Sequence, residues 1–386
     1  MKIKNILLYL FIIKITLDFI SPFRELNFVV INTICMITLF LNRTHLKVIK
    51  RKEWAGIIVF VILCFMWLAI SGELRYFIKF ISTIILFLTV RICFERIKLD
   101  EVISLTSTLI KAYFFIIVIH YLLSLILASP ANRLFYNFEH ANLLGSYVLL
   151  SLTFIYSMKM LNRDSLMNRI CVVIASGLTT STGTLLSSFV VFLNVKKLNI
   201  RTLILAICSA LLVIIFLYNT FSYFFPELFI KVFGPFQLLL SGGWGELAAL
   251  SKHRLSMQEL GDEYQSSLVW RFYAYIIFWD YLIEQPLIYL LLGNGFWGFF
   301  DIWDGIAPHN DFLLILVDFG LIGFSITLFY LSKAISWCIK ENTIILPVFI
   351  VFILRMMFEN NVYSYYLLSG LVMSTTYLYC VYKKCR

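Results

Sequence analysis

Apolar runs of bilayer length dominate the chain, and the polar positions between them predict the elements. Spans are expected at Ile6–Ile20, Asn27–Leu41, Ala55–Ile70, Phe77–Val90, Val102–Ala128 and Leu143–Tyr156. The second half continues with Ile170–Leu178, Gly183–Val195, Thr202–Tyr218, Phe312–Leu331, Thr343–Phe358 and Val362–Val381. Ile170–Leu178 and Gly183–Val195 fall short of the roughly 20 residues that a crossing helix needs. They read as tilted or re-entrant helices around Thr179-Thr180-Ser181-Thr182-Gly183. The expected fold is an all-α polytopic integral membrane protein with about 12 transmembrane helices and one large helical external loop.

The loop, Phe221–Pro308, carries its own helical period. Within Tyr264–Gly295, Leu268, Phe272, Tyr275, Ile276, Trp279 and Ile283 recur at helical spacing, interrupted by Arg271, Asp280 and Glu284. Pro286 should end that helix and Gly293-Asn294-Gly295 should form a turn. The pattern suits a helix lying on the membrane surface or capping a cavity. Residues 1–220 are thus expected to hold helices 1–9, residues 221–308 the loop subdomain, and residues 309–386 helices 10–12.

Composition agrees with this reading. The chain is 61% hydrophobic and 14% charged, with a mean hydropathy of +0.89, whereas soluble domains carry roughly 25% charged residues. The net charge of +10 reports topology and does not call for a nucleic-acid partner. Basic residues gather in alternate loops: Lys2 and Lys4; Arg43 to Lys52; Arg91, Arg96 and Lys98; Lys159, Arg163 and Arg169; Lys196, Lys197 and Arg201; Lys333 and Lys340; Lys383, Lys384 and Arg386. The opposite short loops hold only Arg24, Arg75, Lys79, Arg133 and Arg355. By the positive-inside rule both termini are cytoplasmic and the long loop is external. The basic, apolar amino end lacks a small-residue cleavage site and reads as a retained first helix. None of the eight cysteines lies in the external loop, so a disulfide framework or CxxC metal site is not expected there.

Charge at membrane depth and cations outside are the candidates for chemistry. Lys14 and Asp18, four apart, read as a structural pair, and Arg355 and Glu359 share the same spacing. Arg355 approaches the external face, where a structural and a ligand-binding role both remain open. Lys111 and His120 read as snorkelling or buried hydrogen-bonding groups. Arg133, ahead of His140-Ala141-Asn142, and Arg271 either solvate the surface or bind an anion, since guanidinium groups grip phosphate in a bidentate fork. Five of the eight tryptophans fall in the loop, as interfacial anchors or as platforms under sugar rings. His309, at the return of the loop into the membrane beside Asn310 and Asp311, suits a general base or a phosphate hydrogen-bond donor. Gly320 and Gly323 should allow close helix packing. No Gly-rich phosphate loop, HExxH or metal-ligand cluster is present in the sequence.

At these residues the chain resembles a known group. His309-Asn310, nine residues, Gly320, two residues and Gly323 is similar to the His-[Asn/Ser/Gln]-x9-Gly-xx-[Gly/Thr/Tyr] signature of bacterial O-antigen ligases. Arg271 followed by Pro286-Leu287 and Gly293-Asn294-Gly295, with Arg133 and His140-Ala141-Asn142 upstream, resembles the wider O-antigen polymerase (Wzy-type) and ligase superfamily. These motifs cover about 60 residues, while the topology is similar throughout. Where that group often has Thr-x-Ser-Arg, this chain has Thr179-Thr180-Ser181-Thr182, leaving Arg133, Arg271 and Arg355 to supply positive charge.

The resemblance implies a GT-C-like membrane glycosyltransferase body in the bacterial inner membrane, acting at the periplasmic face. The donor would be an oligosaccharide on undecaprenyl pyrophosphate, with membrane lipid around it and a chain-length regulator as a protein partner. Catalysis would fall to His309 and Arg271. Arg133, His140, Asn142, Asn310 and Arg355 would bind pyrophosphate or sugar. No metal, ATP or other cofactor is needed, because the sugar–pyrophosphate bond is already activated. A polymerase of repeat units is the first expectation, and a ligase moving finished glycan to lipid A–core the second. A flippase for the same lipid would show internal repeats and a charged central pathway, and neither is found. A peptidoglycan polymerase with a similar helical body is more remote.

Overall fold

The computed structural model describes residues 3–19, 24–127, 141–179, 181–193, 243–255, 267–303, 306–341, 343–359 and 361–385, with isolated positions 218, 223, 237, 241 and 259. Every regular element among the described residues is a helix. The chain divides into two compact units: residues 1–194 with 344–355 and 361–386, and residues 195–343 with 356–360. The expected span Thr202–Tyr218 falls almost wholly outside the described residues.

The first unit holds α1 (Ile3–Phe19), α2 (Arg24–Leu41), α3 (Arg51–Ser71), α4 (Leu74–Glu95) and α5 (Leu99–Leu127). It continues with α6 (Ala141–Leu149), α7 (Leu152–Met160), α8 (Leu166–Leu178) and α9 (Thr182–Ser188). Local chemistry sets the ends. The Lys50 amide donates to Glu53 at 2.7 Å at the start of α3. Gly72, at φ +73°, closes the same helix in the left-handed conformation that suits glycine. Ser165 and Ser181 cap α8 and α9 by accepting from Asn168 N and Thr184 N.

The expected Leu143–Tyr156 span is a jointed pair, α6 and α7. Ser151 Oγ and Thr153 Oγ1 each donate back to the carbonyl three residues earlier, both at 2.7 Å. The joint runs through i→i+3 backbone bonds such as Leu150 N to Tyr147 O, tightening it to 3-10 geometry. Hydrophobic periodicity cannot register this, because the apolar run is unbroken. The segment Leu143–Met160 is 94% buried and forms the middle of this unit. Rings of Phe11, Phe94, Phe154 and Tyr377 meet edge to face around it, with centroids 5.0 to 6.0 Å apart.

A buried ion pair pins four helices of this unit. Lys14 Nζ lies 2.5 Å from Asp18 Oδ2, and each side chain is only 2% exposed. Tyr147 of α6 donates to the same carboxylate at 2.6 Å. Asn27 of α2 donates to its other oxygen. Lys14 also reaches the Tyr366 carbonyl at 3.2 Å, in the last helix of the chain. Among its neighbours, Gly370 leaves room where an added Cβ would stand 2.6 Å from Leu150. The i,i+4 spacing had marked Lys14 and Asp18 as a structural pair, and the network around them has that character. His120 is buried edge-on against Phe19, with centroids 4.9 Å apart.

The second unit contains α10 (Trp244–Ser251), α11 (Ser267–Glu284), α12 (Leu287–Leu292), a 3-10 turn at Gly298–Asp301 and α13 (Asp311–Glu341). α11 ends two residues before Pro286, which begins α12 as its N-cap. α14 (Leu346–Phe358) lies largely in the first unit, and α15 (Tyr365–Cys385) wholly so. Among the described residues, five segments are long and apolar enough to cross a membrane: α3, α4, Leu99–Leu123 of α5, Leu143–Met160 and α13. Leu26–Leu41, Leu166–Leu178, Gly183–Phe192 and Thr343–Phe358 are apolar but shorter.

Where the expected span Phe312–Leu331 was one continuous element, α13 runs on to Glu341 and breaks at Gly320 (φ +63°, ψ −171°). The break strands carbonyls that a continuous helix would satisfy. The turn Gly293-Asn294-Gly295 supplies the donors: Asn294 N to Val317 O at 3.0 Å and Gly295 N to Asp318 O at 2.8 Å. Asn294 Nδ2 adds a second bond to Val317 O, and Asp318 Oδ1 accepts from Phe299 N at 2.8 Å. An added Cβ at Gly293 would lie 2.2 Å from Asp318 O, and one at Gly320 would lie 2.4 Å from Leu291 O. Two glycines are therefore required at one contact.

Two outcomes follow from these packings. Removing one member of the ion pair, as in Lys14→Leu, should destabilise by about 3–5 kcal/mol because a carboxylate is left buried without its cation. The double variant Lys14→Leu/Asp18→Leu should lose clearly less than the sum, and additive losses in detergent unfolding would contradict the coupling. Gly320→Ala and Gly293→Ala should each cost at least about 1–3 kcal/mol from backbone conformation alone, with the clash added. Gly72→Ala, with open space around its Cβ, should cost only about 1 kcal/mol; equal thermal shifts at all three positions would contradict the account.

Candidate functional site

His309, two residues before α13, has a left-handed backbone, φ +51°, uncommon for a residue with a side chain. That twist points the next residue into the first turn of α13. Asn310 Oδ1 accepts from Phe312 N at 2.9 Å and Leu313 N at 3.1 Å, and its carbonyl accepts from Leu314 N. Asn310 is thus the N-cap of α13. A residue expected to bind sugar or phosphate already holds a helix terminus. Asp311, the first helical residue, is fully buried.

Tyr275 on α11 joins this turn to the rest of the second unit. Its hydroxyl lies 2.8 Å from the Met357 carbonyl oxygen and 3.3 Å from that of His309. One proton serves both acceptors, so the shorter bond to Met357 dominates. Burial pushes the phenol above its ordinary pKa, while a hydrogen bond from Asn310 and the nearby Arg271 cation oppose the rise. Tyr275 is therefore a neutral crosspiece at physiological pH.

One helical turn earlier, Arg271 reaches the same strip of chain. Its Nη2 sits 3.0 Å from Glu359 Oε1 and its Nε donates to the Phe358 carbonyl at 3.0 Å. Glu359 is 2% exposed against 13% for Arg271. The pairing fixes the plane of the guanidinium and offsets part of its charge. Arg271, Tyr275, His309, Asn310 and Glu359 thus belong to one unit, gathered through a single strip, Met357–Glu359.

Beside this cluster lies an open groove of about 500 Å³. Trp244, Phe272, Ile276, Trp279, Phe312, Leu313, Leu316 and Phe324 make its walls, with Tyr275 and Asn310 as the polar groups. The tryptophans of the loop divide. Trp270 and Trp303 are core residues with centroids 4.9 Å apart, and Trp303 Nε1 donates to the Arg254 carbonyl at 2.7 Å. Trp297 stacks on Phe300. Only Trp244 and Trp279 combine exposure above 40% with a place on the groove.

The other expected site residues are placed elsewhere or are not described. Arg355, in the first unit, directs Nε and Nη2 to Ser146 Oγ at 3.0 and 2.9 Å. Its Nη1 is 3.5 Å from where a Cβ on Gly183 would stand. A guanidinium thus lies at the Ser181–Gly183 turn, the segment whose arginine is missing by comparison with the resembled group. Asn142 is in the first turn of α6, its side chain outside the described residues, as are Arg133 and His140. Tyr275, and Glu359 as the partner of Arg271, carried no role in the sequence reading. Tyr275 was visible only as one apolar-face position of α11, and Glu359 only through its i,i+4 spacing from Arg355, whereas the ion pair it makes is with Arg271. Among the described residues no cluster of three or more His, Cys, Asp or Glu could hold a metal.

No family model matches this chain, and no curated protein matches it.

Tyr275→Phe should lower stability by about 1 kcal/mol, the net value of a typical intramolecular hydrogen bond. It should also loosen the His309 turn, read as faster amide exchange at Phe312 and Leu313. Unchanged exchange there would contradict the crosspiece role.

Proposed function

We propose that the protein is an O-antigen or related surface-polysaccharide polymerase of the bacterial inner membrane. It joins undecaprenyl-pyrophosphate-linked oligosaccharide repeat units at the periplasmic face, with about twelve spans and both termini in the cytoplasm. The observation that carries the reading is the gathering of Arg271, Tyr275 and the His309-Asn310 turn in one unit beside an apolar groove.

The chemistry follows from those groups. An acceptor sugar hydroxyl attacks the anomeric carbon of the donor. The new C–O bond forms as the bond to the pyrophosphate oxygen breaks, and both electrons of that bond leave with the lipid pyrophosphate. The hydroxyl proton passes to the His309 imidazole, whose ordinary pKa lies near neutrality. Arg271 offsets the charge that grows on the leaving group. Glu359 holds the guanidinium in plane until the anion arrives.

Purified protein reconstituted with lipid-linked repeat units should produce a ladder of chain lengths. Arg271→Ala should reduce extension by about 10²–10³-fold, and His309→Ala by about 10²–10⁴-fold, while both variants insert normally. Normal polymer from both variants would overturn the site. Transfer of a finished glycan to lipid A–core, with no ladder, would instead identify a ligase.

A further inference from the structure

The corner between α11 and α12 exposes apolar side chains that the second unit does not use. Trp279, Ile283 and Leu287 follow one another four residues apart across the Pro286 break. With Ile288, Tyr289 and Leu291 they are 38 to 68% exposed, and no residue of α12 is buried. The charged groups beside them, Asp280 and Glu284, are also exposed and lie one position along from Trp279 and Ile283. A contiguous apolar patch of this kind marks a surface that meets a partner.

The level of the corner is fixed by its contact with α13. Gly293, at the end of α12, packs backbone to backbone against Gly320, with Asn294 and Gly295 bonded to Val317 and Asp318. Beyond Gly320, α13 runs through Glu341, about 21 residues or roughly 31 Å at 1.5 Å per residue, which matches a hydrocarbon core of about 30 Å. α12 therefore stands beside the first turn of a bilayer-length segment. Its six residues are too few to cross. The exposed carboxylates of Asp280 and Glu284 keep the preceding turn out of the hydrocarbon. The irregular turn after α12 is tolerated at this level because α13 satisfies its amides.

We infer that this corner docks into the lipid bilayer, with Trp279, Ile283 and α12 seated in the boundary between headgroups and acyl chains. Asp280 and Glu284 remain on the aqueous side. The occupant is lipid, because the corner is tied by backbone packing to the end of a bilayer-length helix. The arrangement resembles that of an interfacial amphipathic helix, whose apolar face reaches about 5–10 Å into the membrane. It does not depend on the glycosyltransferase reading.

The test places an environment-sensitive fluorophore on Ile288→Cys, and separately on Leu291→Cys, in the full chain carrying Cys385→Ser, in phospholipid nanodiscs. Tyr330→Cys on α13 and Lys252→Cys beyond α10 give the lipid and water references. Labels at 288 and 291 should show blue-shifted emission, loss of intensity with acyl-chain-brominated lipid and resistance to aqueous iodide, as at 330. Iodide quenching like that at 252, without bromolipid quenching, would overturn the inference. So would protection from both quenchers with cross-links between copies through position 288, which would make the partner a second chain.

Discussion

The contact between the Gly293-Asn294-Gly295 turn and the break at Gly320 is the constraint on which the second unit depends. A bilayer-length helix cannot leave carbonyls unsatisfied in an apolar setting, where each costs several kcal/mol. Here the break in α13 exposes the carbonyls of Val317 and Asp318, and a turn from the preceding loop returns the missing donors. Each half supplies what the other leaves open. Side chains at Gly293 or Gly320 would occupy the same space as the opposing backbone. The contact sets where α12 lies and fixes the direction of the short first half of α13, which begins at Asp311.

From that anchor the candidate site follows by short steps. Asn310 caps the helix, His309 turns left-handed ahead of it, and Tyr275 ties the turn to the Met357–Glu359 strip. Arg271 meets the same strip one helical turn away. Arg271 and Tyr275 are held by backbone carbonyls of the strip, and Arg271 also by the buried Glu359 carboxylate. The first unit solves a different problem with the same economy. Lys14 and Asp18 satisfy each other and recruit donors from α2 and α6.

Much of this was legible in the sequence where the signal is local. The i,i+4 spacing of Lys14 and Asp18, the break at Pro286, the glycine-flanked turn and the helical period of α11 all appear at the expected positions. Gly320 was read as a close-packing glycine, and it is one. Its partner could not be read, because a backbone-to-backbone approach leaves no pattern in side-chain polarity. The bend at Ser151 was hidden for a related reason: hydroxyls bonding back to carbonyls leave the hydrophobic run intact. The Arg271–Glu359 pair joins residues far apart in the chain, with no periodicity to connect them. Asn310 shows the opposite case, in which an asparagine before an apolar run reads equally as a cap or as a ligand. The tryptophans looked uniform in sequence, yet Trp270 and Trp303 are core while Trp244 and Trp279 edge a groove.

The central claim is that the imidazole of His309 and the cation of Arg271 face the compartment outside the cytoplasm. The most direct test is labelling of His309→Cys, in the Cys385→Ser background, with a membrane-impermeant maleimide in intact spheroplasts. The account predicts modification without permeabilisation, blocked by prior treatment with a second impermeant thiol reagent. Modification only after the membrane is opened would place the site in the cytoplasm and contradict it.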